Sequence, residues 1–534
     1  MNIVFRADSS AEIGAGHVMR CLTLADELAA HGEQCIFVCR EAAMDAGDRI
    51  ERAGYAVVGI SSVSDGAAEA AVVCEALAAA GVAQADWLVV DHYDLDRDFE
   101  SGMRPQVSRI VVVDDLASRP HDCDILLDHN IGANAADYAA LVSDQAVVLA
   151  GPRFALLRAQ FVAASHTPRT RDWSVHRLLV SFGGTDPTNE TQKAIEALMI
   201  LGDSRFETDI VLPEGAPHRA AVEASAQGMP GVTLYGRVDD MAAFMGGADL
   251  MLGAGGMTLL ERCALGLPSV SLVVAGNQAR GTRAAALAGA TVDLGDSSAV
   301  TATDIASALS QLIADPQAVR ETAAAARELI GSSLGHGPKT VAGLMRCIAQ
   351  EPGARLRRLR LEDRALLLRW RNSDRVRLAM SKQHIVEDDE HSAWIARALE
   401  CEPPVYYIYE CGGIPLGAVN FSDLDTVTAK CEWGFYIGET WAPKGSGTRM
   451  GMLALDLAFG DLRMTEVRAE VLEHNARSLA YHAKMGFKEA GIISGPSSDG
   501  GRMLKWRLMS LSAAEWAETR RELVARLARE EGNE

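Results

Sequence analysis

Residues 5–21, FRADSSAEIGAGHVMRC, join the end of a strand to a glycine loop and the start of a helix. The run Ile3–Arg6 has the β-branched and aromatic residues of a buried strand. After the loop, apolar residues recur at the i, i+3, i+4 and i+7 spacing of a helix: Val18, Cys21, Leu22, Ala25, Leu28 and Ala29. Such a strand, loop and helix open a parallel α/β sheet.

The same alternation continues over the first 345 residues. Short β-branched runs predict further strands at Gln34–Val38, Trp87–Asp91, Arg109–Asp114, Ala146–Leu149, Leu178–Ser181, Thr208–Leu212, Val232–Tyr235, Leu250–Leu252 and Ser269–Val273. Amphipathic segments between them predict helices on both faces of parallel sheets. Ligands of such sheets bind at the carboxyl ends of the strands.

Two changes of pattern predict linkers, at Thr167–Trp173 and at Glu351–Arg358. After the second, two helices (Asp363–Arg371 and a stretch around His391–Leu399) precede hairpin strands at Val405–Glu410, Ile414–Phe421 and Lys430–Ile437. The predicted fold is therefore α/β, with two Rossmann-like lobes followed by an α+β domain. The predicted domains are 1–166, 174–350 and 355–510, with a C-terminal helix in 511–534 opened by the capping box Ser512-x-x-Glu515.

Composition restricts the partners. A net charge of −21 argues against nucleic acid and anionic membranes, which select basic surfaces. The ten cysteines form no CxxC pair, which predicts reduced thiols in a cytoplasmic protein. No signal peptide or membrane-spanning run is expected. No metal-ligand spacing recurs, so no metal is expected.

Three glycine-rich loops share one design, in which free backbone N–H groups at a helix start face an anion. One such loop is more often a tight turn, but three around one cleft favour a diphosphate. The expected diphosphate contacts are Gly14 and Gly16 in the first loop, Gly183, Gly184 and Thr185 in the second, and Gly255, Gly256 and Thr258 in the third.

The third loop continues into a helix that carries Glu261, and Asn277 and Gln278 follow the next strand. Glu261 lies one turn into the helix, where its carboxylate would accept hydrogen bonds from ribose hydroxyls. The alternative is a first-turn glutamate favoured by the helix dipole. We expect Asn277 and Gln278 to contact the same ligand.

These motifs, with VDDLASRPHDCDILLDHN and GPRFALLR, resemble the two-lobed, GT-B-like nucleotide-sugar transferases of the peptidoglycan type. They are still more similar to the family of UDP-2,4-diacetamido-2,4,6-trideoxy-β-L-altropyranose hydrolases of pseudaminic acid synthesis. The resemblance covers roughly residues 1–345 and implies that His17 is the catalytic base. Imidazole titrates near neutral pH and suits deprotonation of water. At the end of a strand on the cleft side, Asp91, His92, Tyr93 and Asp94 are further candidates for contacts to the sugar or for orienting His17. Asp8 is a candidate for a substrate contact, or for a hydrogen bond to His17 or to its loop.

A fourth glycine loop, Trp441–Gly451, precedes an apolar helix and predicts a pyrophosphate site. Its expected contacts are Lys444, Gly445, Gly447, Thr448 and Arg449. Downstream, Asn475, Ser478 and Tyr481 lie at a spacing that puts Ser478 and Tyr481 on one helix face.

This pattern is similar to that of GNAT acyltransferases over about residues 355–510, although Lys444 and Arg449 depart from the usual loop. The resemblance implies acetyl-CoA as co-substrate, Tyr481 as the acid that reprotonates the CoA thiolate, and Asn475 at the pantetheine arm or a helix terminus. Ser478 is expected to contact the cofactor. Glu432 is our candidate base for the acceptor amine.

Within GNAT acyltransferases, the resemblance is to those that acetylate a UDP-4-amino-4,6-dideoxy sugar, whose product is the hydrolase substrate. The chain is therefore predicted to acetylate a UDP-amino sugar and then release UDP. Two alternatives stay open: a UDP-sugar glycosyltransferase joined to an unrelated acetyltransferase, and a noncatalytic nucleotide-sugar sensor. The oligomeric state cannot be read from the sequence.

Overall fold

The computed structural model describes residues 1–9, 15–40, 44–63, 65–167, 169–202, 206–331, 335–349, 353–380, 382–402, 405–496 and 503–531. The chain divides into two compact units, Met1–Ala342 and Gly343–Glu534. The first unit contains two parallel sheets, and the second contains one mixed sheet.

The first sheet has the order β3-β2-β1-β4-β5-β6-β7, and all its pairs are parallel. Its strands are β1 (Asn2–Ala7), β2 (Gln34–Arg40), β3 (Ala56–Ile60), β4 (Ala85–Asp91), β5 (Val107–Val113), β6 (Ile125–Asp128) and β7 (Val147–Ala150). The connecting helices are α1 (Gly16–Ala29), α2 (Met44–Arg52), α3 (Gly66–Ala79) and α4 (Arg97–Met103). The strand order reverses between β1 and β4, so the loops that follow these two strands border an open crevice.

The second sheet repeats this plan in the order β10-β9-β8-β11-β12-β13, again all parallel. Its strands are β8 (Arg177–Ser181), β9 (Glu207–Val211), β10 (Val232–Tyr235), β11 (Leu250–Ala254), β12 (Ser269–Val273) and β13 (Val292–Asp296). Its helices are α6 (Glu190–Leu201), α7 (Arg219–Ala226), α8 (Met241–Gly247), α9 (Met257–Leu265), α10 (Ala279–Leu287), α11 (Ala302–Ala314), α12 (Pro316–Ile330) and α13 (His336–Ala349). Here the order reverses between β8 and β11.

One helix that precedes the predicted boundary between the lobes packs against the lobe that follows it. Helix α5 (Ala159–Ser165) precedes the linker at Thr167–Trp173, yet its Phe161 is buried in a core cluster with Leu179 and Met251 of the second sheet. In its packing, α5 thus belongs with the second lobe, and the boundary at residue 166 stays a prediction.

The sheet of the second unit has the order β14-β15-β16-β17-β18-β20-β19 and is antiparallel except for the pair β17 and β18. Its strands are β14 (Arg355–Arg358), β15 (Tyr406–Cys411), β16 (Ile414–Asp425), β17 (Lys430–Ile437), β18 (Glu466–Leu472), β19 (Lys488–Pro496) and β20 (Met503–Ser512). Its helices are α14 (Arg364–Asn372), α15 (Asp374–Arg377), α16 (Asp388–Leu399), α17 (Ser446–Phe459), α18 (Ala476–Lys484) and α19 (Ala513–Glu531).

The structure corrects three expectations. Strands β3, β6 and β13 of the first unit are not among the predicted strands. Residues 355–358, predicted as linker, form β14 and pair with β15. Cys347 and Cys411 form a disulfide, whereas all ten cysteines were expected to be reduced, because the end of α13 and the end of β15 bring the two sulfurs together. The predicted capping box does form, with Ser512 and Glu515 bonding reciprocally.

Candidate functional site

His17 is the second residue of α1, the helix that follows β1 along the chain. The helix begins without a side-chain cap from any described residue and has no acidic residue in its first turn. Its first backbone N–H groups therefore keep the partial positive charge of a helix start. Of the first loop, Gly14 lies outside the described residues, so its predicted contact stays a prediction.

The imidazole of His17 is held by Asp91, the last residue of β4. The distance from His17 Nδ1 to Asp91 Oδ1 is 2.5 Å, and both side chains are buried. Arg20, one turn further along α1, donates to both oxygens of Asp91 at 2.5 and 2.6 Å. Because Nδ1 is engaged with Asp91, Nε2 is the nitrogen available for proton transfer.

The charge on Asp91 is stabilised despite its full burial. Burial alone would raise its pKa, but the Arg20 guanidinium and His17 outweigh burial, and the pKa lies well below the usual range. An ionised Asp91 fixes the tautomer of His17 and would stabilise the imidazolium that forms when Nε2 takes a proton.

Tyr93 connects this pair to the second lobe. Its ring packs edge-on against the His17 ring with centroids 4.6 Å apart. Its hydroxyl donates to Asp115 Oδ2 at 3.2 Å and accepts from Asn277 Nδ2 at 2.5 Å. The other oxygen of Asp115 is buried without a hydrogen bond to any described residue.

A cavity of about 1280 Å³ lies in the crevice between the carboxyl edges of the two sheets. It brings together most of the predicted ligand contacts of this unit: Gly16, His17, Tyr93, Gly183, Gly184, Thr185, Gly255, Gly256, Thr258, Glu261, Asn277 and Gln278. The size and the mixed lining suit a nucleotide-linked sugar.

Asp8 is placed elsewhere. It accepts from Arg6 at 2.8 Å and contacts His92 at 3.1 Å, in a buried ionic cluster that includes Glu69. It does not line the cavity and does not bond His17. The structure thus gives Asp8 a part in the ionic cluster, and its expected sugar contact has no support in this geometry.

The third glycine loop has the features of an anion site. Helix α9 starts after Gly256, whose φ of 73° favours glycine, and no described side chain caps it. A Cβ at Gly253 would lie 2.5 Å from the Ser181 carbonyl oxygen, and one at Gly255 would lie 2.4 Å from Thr282 Oγ1. The loop can therefore pack this closely only because it lacks side chains.

The second loop differs from the design that the sequence predicted. Helix α6 begins only at Glu190, and its first N–H groups, those of Glu190 and Thr191, donate to Asp186 at 2.9 and 2.8 Å. This helix start is already capped by a carboxylate and is not a phosphate site. Gly183, Gly184 and Thr185 line the cavity as loop residues.

The acetyl-transfer motifs lie in the second unit, where two parallel strands separate. Strands β17 and β18 pair only at Lys430–Glu432 with Glu466–Arg468, although β17 continues to Ile437 and β18 to Leu472. Beyond Glu432 and Arg468 the two strands no longer pair, which leaves a gap between their edges. Helix α17 begins beyond the end of β17, after Gly445 in the left-handed conformation, and no described side chain caps it.

Tyr481 on α18 reaches this helix start. Its hydroxyl donates to the Gly447 carbonyl at 2.6 Å, and its ring contacts Phe435 with centroids 4.9 Å apart. A Cβ at Gly451 would lie 2.1 Å from the hydroxyl, so a glycine is needed there. Burial, with a smaller effect of Tyr409, raises the pKa of Tyr481, which keeps the phenol protonated as a proton donor must be.

The other predicted cofactor residues occupy different places. Asn475 caps α18 by accepting from the Ser478 N–H at 3.1 Å, which is a helix-terminus role. The Ser478 hydroxyl lies 3.4 Å from His482 Nδ1, and Thr448 accepts from Lys484 at 2.9 Å. Lys444 and Gly445 are exposed in the loop, and Gly447 and Arg449 lie in the first turn of α17. Their contacts with CoA stay predictions.

Residues 354–488 match the family model described as an acetyltransferase (GNAT) domain. This part of the chain is a GNAT acetyltransferase domain. An uncharacterized protein of Methanocaldococcus jannaschii is 23% identical over 92% of this chain and 97% of its own length. UDP-2,4-diacetamido-2,4,6-trideoxy-β-L-altropyranose hydrolase of Campylobacter jejuni is 30% identical over 189 residues, 35% of this chain and 62% of its own length. The chain is thus an enzyme in which a region homologous to a hydrolase is followed by a GNAT domain.

Among solved structures, Acinetobacter baumannii MurG aligns over 64% of this chain and 98% of its own, with 14% identity and a TM-score of 0.45. The two parallel sheets described above agree with the predicted pair of Rossmann-like lobes. Among the described residues, no cluster of histidine, cysteine and acidic side chains could hold a metal ion. No described helix is long and apolar enough to cross a membrane.

Glu432, the candidate base of the GNAT domain, lies where the gap opens. It is the last residue of β17 in register with β18, opposite Arg468. Strand alternation directs its side chain away from the face on which Phe435 meets Tyr481. Burial, then Glu470 and Asp423, raise the pKa of Glu432, which favours proton uptake. Its role as base stays a prediction.

Two residues of the first site were not singled out from the sequence. Arg20 lies three residues after His17, and this i, i+3 spacing was the available signal. Arg158 ends the GPRFALLR motif and bonds Glu261, a partner 103 residues away that no local pattern indicates.

Proposed function

We propose that this chain acetylates the 4-amino group of a UDP-4-amino-4,6-dideoxy sugar in its GNAT domain and hydrolyses the product in its N-terminal unit, both in the cytoplasm as steps of pseudaminic acid synthesis. The observation that carries the hydrolase half is that His17 lines a nucleotide-sized cavity while the buried Asp91 holds its imidazole from behind. The similarity to the Campylobacter jejuni hydrolase supports the choice of sugar.

In the hydrolytic step, His17 Nε2 takes a proton from water as the water oxygen bonds to C1 of the sugar. The bond between C1 and the β-phosphate oxygen breaks, and UDP leaves with the electron pair. The uncapped N-terminus of α9, and that of α1, would stabilise the negative charge on UDP. Asp91 would stabilise the imidazolium, which then returns its proton to solvent.

In the acetyl transfer, the deprotonated 4-amino group bonds to the thioester carbonyl carbon, and the carbon–sulfur bond breaks. Tyr481 would give its proton to the departing thiolate, and Glu432, on the other face of β17, would take the amine proton through water. The backbone N–H groups at the start of α17 would hold the pyrophosphate of CoA.

Arginines near the end of β17 favour an anionic acceptor. The segment 369–377 contains four arginines. Of these, Arg371 and Arg375 donate to backbone carbonyls of Lys382, Ile437 and Gly438, which carry no charge to neutralise them. A UDP-linked amine would supply negative charge, whereas a polyamine would be repelled.

The deciding assay uses the purified chain and the UDP-4-amino sugar, with and without acetyl-CoA, followed by mass spectrometry. We expect acetylated sugar and then free UDP, with little UDP when acetyl-CoA is omitted. UDP release that requires an added acceptor would identify a glycosyltransferase. Binding of the nucleotide sugar without any turnover would identify a sensor, and either result would overturn the hydrolase proposal.

Replacing Tyr481 with phenylalanine should separate the two reactions. Acetylation is expected to fall by about 10²-fold or more, because the thiolate loses its proton donor. UDP release from preacetylated substrate should be unchanged. Tyr406→Phe, a change of the same kind on β15 of the same unit, is the control and should acetylate normally. An undiminished acetylation rate in Tyr481→Phe would remove this residue from the mechanism.

A further inference from the structure

The GPRFALLR motif, residues 151–158, has no part in the proposed mechanism, yet its last residue reaches the nucleotide cavity. Arg158 Nε and Nη2 donate to the same oxygen of Glu261, Oε1, at 2.9 and 2.8 Å. Glu261 lies in α9, just past the uncapped start of that helix. Both side chains line the cavity, so the pair belongs to its wall.

The motif is held against α9 by packing. Ala155 and Leu157 are buried in one apolar cluster with Leu259 and Leu260 of that helix. The guanidinium of Arg158 also lies 4.7 Å from the centre of the Phe161 ring. The buried Ala155 and Leu157 before Arg158 and the Phe161 ring after it restrict the arginine side chain. Its guanidinium therefore approaches Glu261 in a defined orientation.

The pair leaves one carboxylate oxygen of Glu261 for a ligand. Oε2 makes no hydrogen bond with a described residue, although the side chain is only 7% exposed. Burial raises the pKa of Glu261, and Arg158 acts against it. Without Arg158, less would offset the effect of burial, and the pKa of the Glu261 carboxyl group would rise further. A neutral carboxyl group is a weaker hydrogen-bond acceptor for hydroxyl groups than a carboxylate.

We infer that Arg158 is a positioning residue that fixes Glu261 so that its free oxygen accepts hydrogen bonds from the ribose hydroxyls of a bound nucleoside diphosphate. The inference rests on the proposed function, since it assumes that UDP occupies the cavity. It assigns Arg158 to recognition of the ribose and not of phosphate or base.

The test measures dissociation constants by calorimetry for UDP, 2′-deoxy-UDP and 3′-deoxy-UDP. In the unaltered chain, loss of one of the two hydroxyls should weaken binding by about tenfold or more, the effect of a hydrogen bond to a charged acceptor. In Arg158→Ala, UDP should bind about tenfold more weakly. In this variant the two deoxy analogues should bind nearly as well as UDP, because the hydrogen bond to the hydroxyl is already weakened. Glu261→Ala should show the same pattern. Arg158→Lys, which keeps the charge but not the fork, should fall between.

The control is Arg104→Ala, which removes an arginine paired with Asp122 and Asp124 away from the cavity and should leave all three affinities unchanged. Equal weakening of UDP and both deoxy analogues in Arg158→Ala would show that Arg158 contacts phosphate or base, and would overturn the inference. Unchanged UDP affinity would also overturn it. If the unaltered chain fails to bind UDP, the proposed function itself falls, a result distinct from the other two.

Discussion

His17→Ala is expected to abolish UDP release while leaving acetylation unchanged. The substitution removes the group that takes the proton from water, and a general base contributes about 10²–10⁴-fold to such a step. Acetyl transfer should proceed at its full rate, because Tyr481 and α17 belong to the other unit. The measurement is the appearance of UDP and of acetylated UDP-sugar over time in one reaction mixture.

His31→Ala provides the matched control. His31 lies just past the end of the same helix, and its Nδ1 is 2.9 Å from the Glu27 carbonyl oxygen at the surface. This variant should release UDP normally. If His17→Ala retains rapid UDP release, another group is the base. If it loses acetylation as well while still folded, the two reactions do not use separate sites.

Asp91→Ala should have the second largest effect, on both stability and hydrolysis. The substitution leaves Arg20 charged and buried, with Asp115 at 3.6 Å as its remaining acidic neighbour. Breaking a buried ion pair in this way costs about 3–5 kcal/mol. His17 also loses the group that fixes its tautomer, so UDP release should drop by about 10²-fold or more.

The measurements are the rate of UDP release and the midpoint temperature of thermal unfolding. The transition to follow is the one whose midpoint shifts when UDP is added. Asp91→Asn keeps the shape of the side chain and should recover part of the stability but little of the activity. Asp122→Ala removes a carboxylate that pairs with Arg104 and is 34% exposed, and should cost at most about 1 kcal/mol. A stable, fully active Asp91→Ala variant would contradict the proposed role of the pair.

The sequence predicts the α/β plan well because the parallel strands are nearly continuous apolar runs and the glycine loops follow them directly. It predicts too little for the GNAT domain, where β18, β19 and β20 were not identified. The described residues of β19 are exposed or half-buried, and the partners of β18 lie up to dozens of residues away along the chain, so local pattern gives little sign of this pairing. The separation of β17 from β18, which opens the gap, depends on that long-range pairing.

The residues of the candidate hydrolase site are proposed from the sequence one by one, whereas most of the contacts between them are visible only in the structure. A glycine loop in a sequence shows where the backbone turns, but not whether its N–H groups already donate hydrogen bonds within the protein. The second loop therefore matched the pattern although Asp186 already caps α6. The ionic cluster of Asp8 is likewise not visible in the sequence. The residues that it contacts, Arg6 and His92, are brought to it by the sheet and not by local sequence.

The close packing behind the third glycine loop limits how this enzyme can change. The buried Arg262 donates to the Ala254 carbonyl at 2.7 Å, and a Cβ at Gly253 would lie 3.3 Å from its guanidinium and 2.5 Å from the Ser181 carbonyl. No larger residue fits without moving two strands. Altered nucleotide preference, by evolution or by engineering, is therefore to be sought in cavity side chains such as Asn277 and Gln278, while the loop itself stays fixed.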